Sequence, residues 1–366
     1  MAISCFFLFR RGRSDQLQDW KQGKGPIDFL YGFPLLEQDK IISDFGEGDD
    51  QSDDWRRRLC YPFESIISRI VGIGFSLHIV IIHWNKIVNS DVVISTVDTC
   101  GLPIALLKWL KLIKTPVVYI SQGLAHRLHS RSGSSLVRAI KYIYSLFLQS
   151  IERVIVLGDG AAVPVVQELD IRSDRVFVLQ FGVDDQFWIP VPGKQHDNYI
   201  LSVGTDAARD YPTLLNAIDD QLVRIISRQR IPDDLLAPNV QVSSKHSFLE
   251  LRNIYCGARF VVIPLHDVDQ PSGQSVALQA MACGRAVIIT RTQGLWEPQY
   301  MRHKETCYLV NPGDVQNLRE TIHHLCANPD EVQEVGANAR RLVERRYNAR
   351  ILAGDLQRHI LELVVR

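Results

Sequence analysis

The sequence predicts an α/β fold with two doubly wound, Rossmann-like domains, each built on a parallel sheet. Three observations carry this: short β-branched runs recur along the chain, helical patterns separate them, and a Pro-rich stretch breaks the alternation near the middle. The first half holds Asp91 to Ser95 (DVVIS), Pro116 to Ile120 (PVVYI), Arg153 to Leu157 and Arg175 to Leu179. The second holds Tyr199 to Val203, Leu222 to Ser227, Val240 to Val242, Phe260 to Pro264 and Ala286 to Ile289. Continuous apolar strands alternating with helices make a parallel sheet covered on both faces.

In chain order, the apolar run Cys5 to Phe9 reads as a first strand. It is too short for a signal-peptide core and has no charged segment before it. From Glu37 to Asp54 come eight acids (Glu37, Asp39, Asp44, Glu47, Asp49, Asp50, Asp53 and Asp54) against one base, Lys40, which reads as a solvated loop. The longest apolar run, Ile70 to Ile82, is interrupted by Ser76 and His78 and falls short of the ~20 residues a membrane helix needs.

From Gly101 to Ser150 there are seven bases (Lys108, Lys111, Lys114, Arg127, Arg131, Arg138 and Lys141) and no acid. Ile104 to Ile113 sets Leu106, Leu107, Leu110 and Ile113 on one helical face beside Lys108 and Lys111, and Leu136 to Leu148 repeats the theme with Arg138 and Lys141. A basic amphipathic surface suits an anionic membrane, so residues 101–150 are a candidate contact with one. The other reading is a solvated helix face packed on a sheet by its opposite side. The expected location is cytoplasmic, peripheral on the inner face of a membrane where that contact forms.

Phe187-Trp188-Ile189-Pro190-Val191-Pro192-Gly193-Lys194 is Pro-rich, and the chain stays polar through Asn198. It divides an N-terminal domain, 1–190, from a C-terminal domain, 191–347. Helices are expected over Tyr211 to Asp219, Val315 to Ala327 and Asp330 to Tyr347. The closing segment 348–366 carries an amphipathic helix, Ala349 to Val365, that can cross back to the first domain. Ligands of such folds bind beyond the C-terminal ends of the strands, so a cleft between the two domains is the default site.

Composition narrows the function. A chain of 366 residues, 46% apolar, with 41 basic and 41 acidic residues gives no global argument for a nucleic-acid partner. The seven cysteines (Cys5, Cys60, Cys100, Cys256, Cys283, Cys307 and Cys326) form no CxxC pair. They read as reduced thiols, and their spacing speaks against zinc. Gly72-Ile73-Gly74 and Gly158-Asp159-Gly160 do not complete a GxGxxG after a strand, which counts against a dinucleotide-dependent oxidoreductase.

Residues 270–290 are the most informative. Gln270-Pro271-Ser272-Gly273 is a turn signal. Ser275 is a candidate N-cap, Val276 to Cys283 a helix, Gly284 its stop and Ala286 to Ile289 a strand. A small-residue loop feeding a helix N-terminus presents unpaired N–H groups and a positive dipole end, where a phosphate is held. Loop–helix–strand units of this kind also occur in α/β proteins that bind nothing.

The order of these motifs resembles the GT-B glycosyltransferases. Arg153 to Gly158 (RVIVLG), then Arg175 to Asp184 (RVFVLQFGVD), Phe187-Trp188 and Pro190 resemble their inter-domain hinge. Tyr199 to Gly204 (YILSVG), then Arg209-Asp210-Tyr211-Pro212-Thr213-Leu214-Leu215, look like the opening of their donor domain. Ser272 to Ile288 looks like their nucleotide-sugar segment. The likeness is nearest to the retaining glycosyltransferase family 4 and covers roughly residues 90–350.

The resemblance implies a nucleotide-sugar donor held mainly by the C-terminal domain and a lipid-linked or polysaccharide acceptor held mainly by the N-terminal one. It implies no cofactor, the nucleotide-sugar being a co-substrate, and no obligatory metal. Negative charge growing on the leaving diphosphate must then meet a basic side chain and a helix N-terminus. Arg209 stands where the family usually carries a lysine, and its fork suits phosphate oxygens. Gly204 would let the donor approach the backbone, and Gly273, Gln274 and Ser275 would offer N–H groups, with Ser272 in the same loop.

Three departures stand out. Thr205 occupies a position where an arginine is common. Of two family glutamates eight residues apart, the second falls on Gln279, a neutral ribose partner, and the first has no clean equivalent, with Asp269 and Gln270 the nearest polar groups. A family histidine place is Gln122, with Gly123 next to it and His126 four residues on as a catalytic candidate. These departures also motivate a second reading, a catalytically degenerate homologue that serves as a binding or scaffold subunit.

Overall fold

A computed structural model describes residues 2–37, 40–48, 54–129, 133, 135–191, 193 and 197–364. Asp39, Asp49, Asp50, Asp53, Arg131, Pro192, Lys194 and Val365, singled out above, lie outside the described residues. The chain divides into two compact units. The first comprises Met1–Gln18, Phe29–Gln180 and Leu352–Arg366, the second Asp19–Asp28 and Phe181–Ile351. The change of unit thus falls at 180/181, ahead of the Pro-rich stretch rather than at 190/191. A short early segment, Asp19–Asp28, is part of the second unit, and the closing helix from Leu352 onward is part of the first.

The first unit holds a six-stranded sheet: β1 (Ile3–Phe9), β2 (Ile41–Glu47), β3 (Val92–Ser95), β4 (Val117–Ile120), β5 (Arg153–Val156) and β6 (Val176–Val178), in the order β2-β1-β3-β4-β5-β6. Every pairing is parallel. All residues of β3, β4 and β5 are buried, as expected of strands covered on both faces.

The second unit repeats the plan with β7 (Tyr199–Val203), β8 (Val223–Ile226), β9 (Val240–Ser243), β10 (Ala258–Ile263), β11 (Val287–Thr290) and β12 (Tyr308–Val310), ordered β12-β11-β10-β7-β8-β9. These pairings are parallel too. Ile200, Ile225, Phe260, Val262 and Ile288 pack with Leu214, Leu318, Ile322 and Val335 from the covering helices. Burial of each such side chain contributes about 1.5–3 kcal/mol. Two doubly wound α/β units are what the alternating pattern predicted.

One local expectation is corrected, and the segments after it gain a structural account. The acidic stretch Glu37 to Asp54 is not all loop, since it contains β2. That strand alternates over its first five residues, with Ile41, Ser43 and Phe45 more covered than Ile42 and Asp44. Asp54 then caps a helix, Trp55–Val71, by accepting from Arg56 N at 2.7 Å. The apolar run Ile70 to Ile82 is split by Gly72, whose φ of 71° ends that helix, so that a separate helix, Leu77–Ile82, follows. His78, read as an interruption, is buried with its Nδ1 2.9 Å from both oxygens of Glu64.

In the basic block, the outward face differs from the expected one. Leu106 and Leu107 pack against the core, Ile113 is buried, and of the four leucine and isoleucine residues named above only Leu110 is exposed. Lys108 is buried against Glu152 at 2.9 Å, and Lys141 pairs with Glu168. These two lysines are spent within the fold.

Candidate functional site

The segment expected to hold the donor begins where β7 ends. Gly204 follows Val203 with φ 146°, and its carbonyl accepts from Tyr211 Oη at 2.6 Å. The loop that follows is pinned to the end of β10. Arg209 makes an isolated bridge with Leu265, Asp210 N donates to Pro264 O at 3.0 Å, and His266 N donates to Ala208 O at 2.9 Å. Asp210 then caps the helix Tyr211–Ala217, accepting from Thr213 N at 3.1 Å and Thr213 Oγ1 at 2.6 Å.

These restraints turn the Arg209 side chain inward, leaving it 2% exposed. Its guanidinium lies over Gly204, where a Cβ would stand 1.9 Å from Nε, and beside Gly273, where a Cβ would stand 2.9 Å from Nη1. The group lying closest to Gly204 is therefore Arg209 itself. Nη2 sits 3.5 Å from Asp206 Oδ2, while Nε and Nη1 are buried with no partner among the described residues. A buried donor without an acceptor costs about 1–3 kcal/mol, more when charged. Such a group in a folded protein is a reason to look for a ligand.

Gly273 is also the N-cap of the next helix, Gln274–Ala282, with φ 76° and no side-chain cap. Ser275 is therefore not the cap. It is the second residue of the helix, because the left-handed turn at Gly273 starts the helix two residues earlier than a cap at Ser275 would. The N–H groups of a first helical turn have no acceptor within the helix; that of Gln274 donates to Pro271 O at 3.4 Å. At the far end, Gly284 (φ 70°) closes the helix. Its N–H donates to Met281 O at 2.9 Å and Arg285 N to Ala280 O at 3.0 Å, the paired bonds of a left-handed C-terminal stop.

The loop before Gly273 is held on its outer side. Ser272 Oγ donates to Asp206 Oδ1 at 3.4 Å, and Gln270 Nε2 lies 3.5 Å from Ser272 Oγ. A Cβ at Gly294 would lie 2.1 Å from Gln270 O, so the 294 backbone lies directly against the loop. Asp269 is half-buried. Thr205 is exposed and accepts from Arg228 N at 3.2 Å. Gly204, Arg209, Ser272 and Gly273 are thus gathered around one guanidinium, with Thr205, Asp269, Gln270 and Ser275 on the flanking turns. Gln274 is buried.

Gln279 has a different setting. It is buried, and its Nε2 donates to Asp28 Oδ2 at 2.8 Å while Tyr255 Oη donates to its Oε1 at 3.3 Å. Asp28 also accepts from Trp188 Nε1 at 2.8 Å and Asp184 N at 2.7 Å. Burial pushes the Asp28 carboxyl up to about 7, against the lowering effect of these hydrogen bonds. Both ends of the Gln279 carboxamide are engaged inside the unit, so the amide is committed to this cluster.

In the first unit, Gln122 and Gly123 follow β4, and Gly123 (φ 94°) leads into the short helix Leu124–His129. Gln122 Nε2 donates to Tyr31 Oη at 2.6 Å and Thr96 O at 2.5 Å, and its N–H donates to Asp98 Oδ1 at 3.0 Å. Tyr119 Oη donates to the same Asp98 oxygen at 2.5 Å. Burial raises the Asp98 carboxyl above its ordinary range, opposed by these bonds and by Arg127. His126 is half-buried on the first turn after Gly123.

Sequence reasoning missed Asp206, Asp28 and Tyr255. Asp206 carried a usable signal, an acid three residues before Arg209. Asp28 carried none, since its partner Gln279 is 251 residues away.

Comparison with known proteins matches this geometry to a fold. The Anabaena Alr3699/HepE protein, solved in complex with UDP-glucose, superposes with a TM-score of 0.69 at 13% identity, covering 98% of this chain and 100% of that one. Sucrose-phosphate synthase from Thermosynechococcus elongatus superposes at 0.72 with 15% identity over 99% of each chain. The chain therefore has the GT-B glycosyltransferase fold. Within its second unit, residues 212–328 match the family described as glycosyl transferases group 1. The MMP alpha-(1->4)-mannosyltransferase of Mycolicibacterium hassiacum is 25% identical over 218 residues, which is 53% of this chain and half the length of that relative.

Proposed function

We propose that this protein is a nucleotide-sugar-dependent glycosyltransferase that transfers a hexose-type sugar, with retention and without a metal, to a lipid-linked or polysaccharide acceptor. The observation that carries the reading is the buried Arg209 guanidinium, with two unpaired nitrogens, at the N-terminus of the helix Gln274–Ala282. A diphosphate fits both needs. It accepts from Nε and Nη1, and it lies at the positive end of the helix. The group 1 match over 212–328 and the relative named as a mannosyltransferase support the same reaction class.

Chemically, the anomeric C–O bond breaks through an oxocarbenium-like state, and the electron pair leaves with the donor diphosphate. Arg209 and the first-turn N–H groups stabilise that growing charge. Their place is fixed before the reaction by the Arg209–Leu265 bridge and by the two glycines. Gln122, Gly123 and His126 are proposed for the acceptor side.

The test is binding followed by transfer. A thermal-shift and calorimetry screen against UDP-, GDP- and ADP-sugars should yield one donor that raises the melting temperature with the logarithm of its concentration. Products from that donor, read by anomeric NMR in the presence of EDTA, should retain configuration. Absence of binding by every donor would overturn the reading. A second reading, a degenerate subunit, draws on Gln279, whose amide is already engaged by Asp28. It predicts donor binding without turnover on any acceptor.

A further inference from the structure

The first unit carries an outward apolar face that the donor chemistry does not use. On the helix Trp55–Val71, the side chains of Trp55, Leu59, Phe63 and Ile66 recur at helical spacing and are all exposed, Leu59 by 73% and Trp55 by 65%. The helix is thus apolar on two sides. Cys60 and Ile67 face inward, whereas the second stripe is exposed, with Phe63 set edge-on to the Phe75 ring at 5.9 Å. The helix Ser135–Leu148 packs beside it and shows the same arrangement, with Leu136, Tyr142 and Ile143 exposed. On the other flank of that helix lies Asp98–Trp109, whose end and following turn expose Trp109, Leu110 and Leu112.

Charge on these helices is mainly basic, with Asp54, the partly exposed N-cap of Trp55–Val71, paired with Arg56 at 3.1 Å. Arg58, Arg69, Lys111, Lys114 and Arg138 are exposed. The only acids on the three helices are Glu64 and Asp98, both buried and hydrogen-bonded inside the unit, and Ser135–Leu148 carries none. Monomeric proteins rarely leave so many large apolar groups together in water. Tryptophan, tyrosine and leucine beside arginine and lysine suit the boundary between acyl chains and anionic headgroups. A second copy of the chain is a poor occupant, because a two-fold contact would set the exposed bases of these helices against one another.

We propose that the helices Trp55–Val71 and Ser135–Leu148, with the turn at Trp109–Leu112, form a docking face for an anionic lipid bilayer. The protein lies on the bilayer and does not cross it; among the described residues no helix is long and apolar enough to span a membrane. The proposal goes beyond the donor reading and stands or falls separately from it. It also differs from the basic surface expected from sequence, since Lys108 and Lys141 take no part and Trp55–Val71 is its larger half.

The full chain would be floated with vesicles of neutral phosphatidylcholine and of mixed phosphatidylcholine and phosphatidylglycerol, with tryptophan emission followed in parallel. Recovery with the anionic vesicles and a blue shift from Trp55 and Trp109 are expected. Trp55→Ser, Leu59→Ser and Phe63→Ser together should reduce vesicle affinity by at least ~10-fold. Arg58→Ser and Arg69→Ser, which leave the apolar stripe intact and serve if the triple variant misfolds, should each lose about five-fold. Leu236→Ser, an exposed apolar change in the second unit, should have no effect. Equal recovery with neutral and anionic vesicles would overturn the proposal. So would unchanged binding by all three of these variants, or a concentration-dependent dimer that the triple variant dissolves.

Discussion

The carboxamide of Gln279 donates through Nε2 to Asp28 Oδ2 at 2.8 Å, joining the donor helix to a segment 251 residues earlier in the chain. The pairing gives a physical reason for a neutral residue at 279. A glutamate there would put a second carboxylate against Asp28, in a site closed to water. Gln279→Glu is therefore expected to destabilise the second unit by about 2–4 kcal/mol, the range for an unpaired buried charge. Adding Asp28→Asn should recover part of the loss, because an asparagine amide can donate to Glu at 279. Urea midpoints of the four proteins in this double-mutant cycle check it, and additive losses would refute the pairing.

The same carboxyl makes stability depend on pH. The Asp28 pKa is raised by burial to about 7 in the fold from an ordinary 3.8. Between those values the folded state holds a proton that the unfolded state has lost. Its contribution is complete below about pH 4 and is lost as pH rises through 7. Asp184 is raised as well, chiefly by burial, and acts in the same direction. Asp28→Asn removes the titration, so the stability gap between wild type and variant should narrow from pH 4 to pH 7 by at most about 4 kcal/mol. A gap that stays constant across that window would show that Asp28 does not take up the proton.

Arg209 predicts opposite effects on stability and binding. Its Nε and Nη1 are buried without acceptors, a cost borne by the free protein. Arg209→Met keeps the length and removes the charge, so it should raise stability by about 1 kcal/mol. The same change should weaken binding of the donor nucleotide about 10–100-fold, the worth of one or two hydrogen bonds to a charged group. Denaturation and calorimetry with the donor found by the screen measure the two effects. A variant that is both less stable and equally able to bind would assign Arg209 to packing.

How much of this could be read from the sequence varied with the range of the forces involved. The bounds of β7 and of the helix Val315–Ala327 match the expected segments, because a β-branched run and a helical period are local signals. The Gln270–Gly273 turn was legible for the same reason. The cap was not. Ser275 has the side chain of a good cap, but the αL turn at Gly273 needs none. β2 was hidden because Asp44 lies on an exposed position of an edge strand and Glu47 ends it accepting from Arg13 N at 2.6 Å, so neither charge opposes the sheet. Asp28 and the outward stripe of Trp55–Val71 were invisible for a third reason. The first depends on a partner far along the chain, and the second on knowing which apolar face the core leaves uncovered.

Gly204 and Arg209 are steric partners, and the last prediction separates that from any contact with a ligand. A Cβ at 204 would stand 1.9 Å from Arg209 Nε, and φ of 146° is costly for any residue with a side chain. Gly204→Ala should therefore lose about 2–3 kcal/mol, combining backbone strain with displacement of a buried guanidinium. Arg209→Ala opens the space over 204, so in that background the same glycine change should cost only the backbone part, about 1 kcal/mol. The difference between the two backgrounds, read from urea midpoints without any nucleotide present, is the steric coupling. If Gly204→Ala costs the same in both, the guanidinium does not rest on the glycine, and the site described around it is wrong.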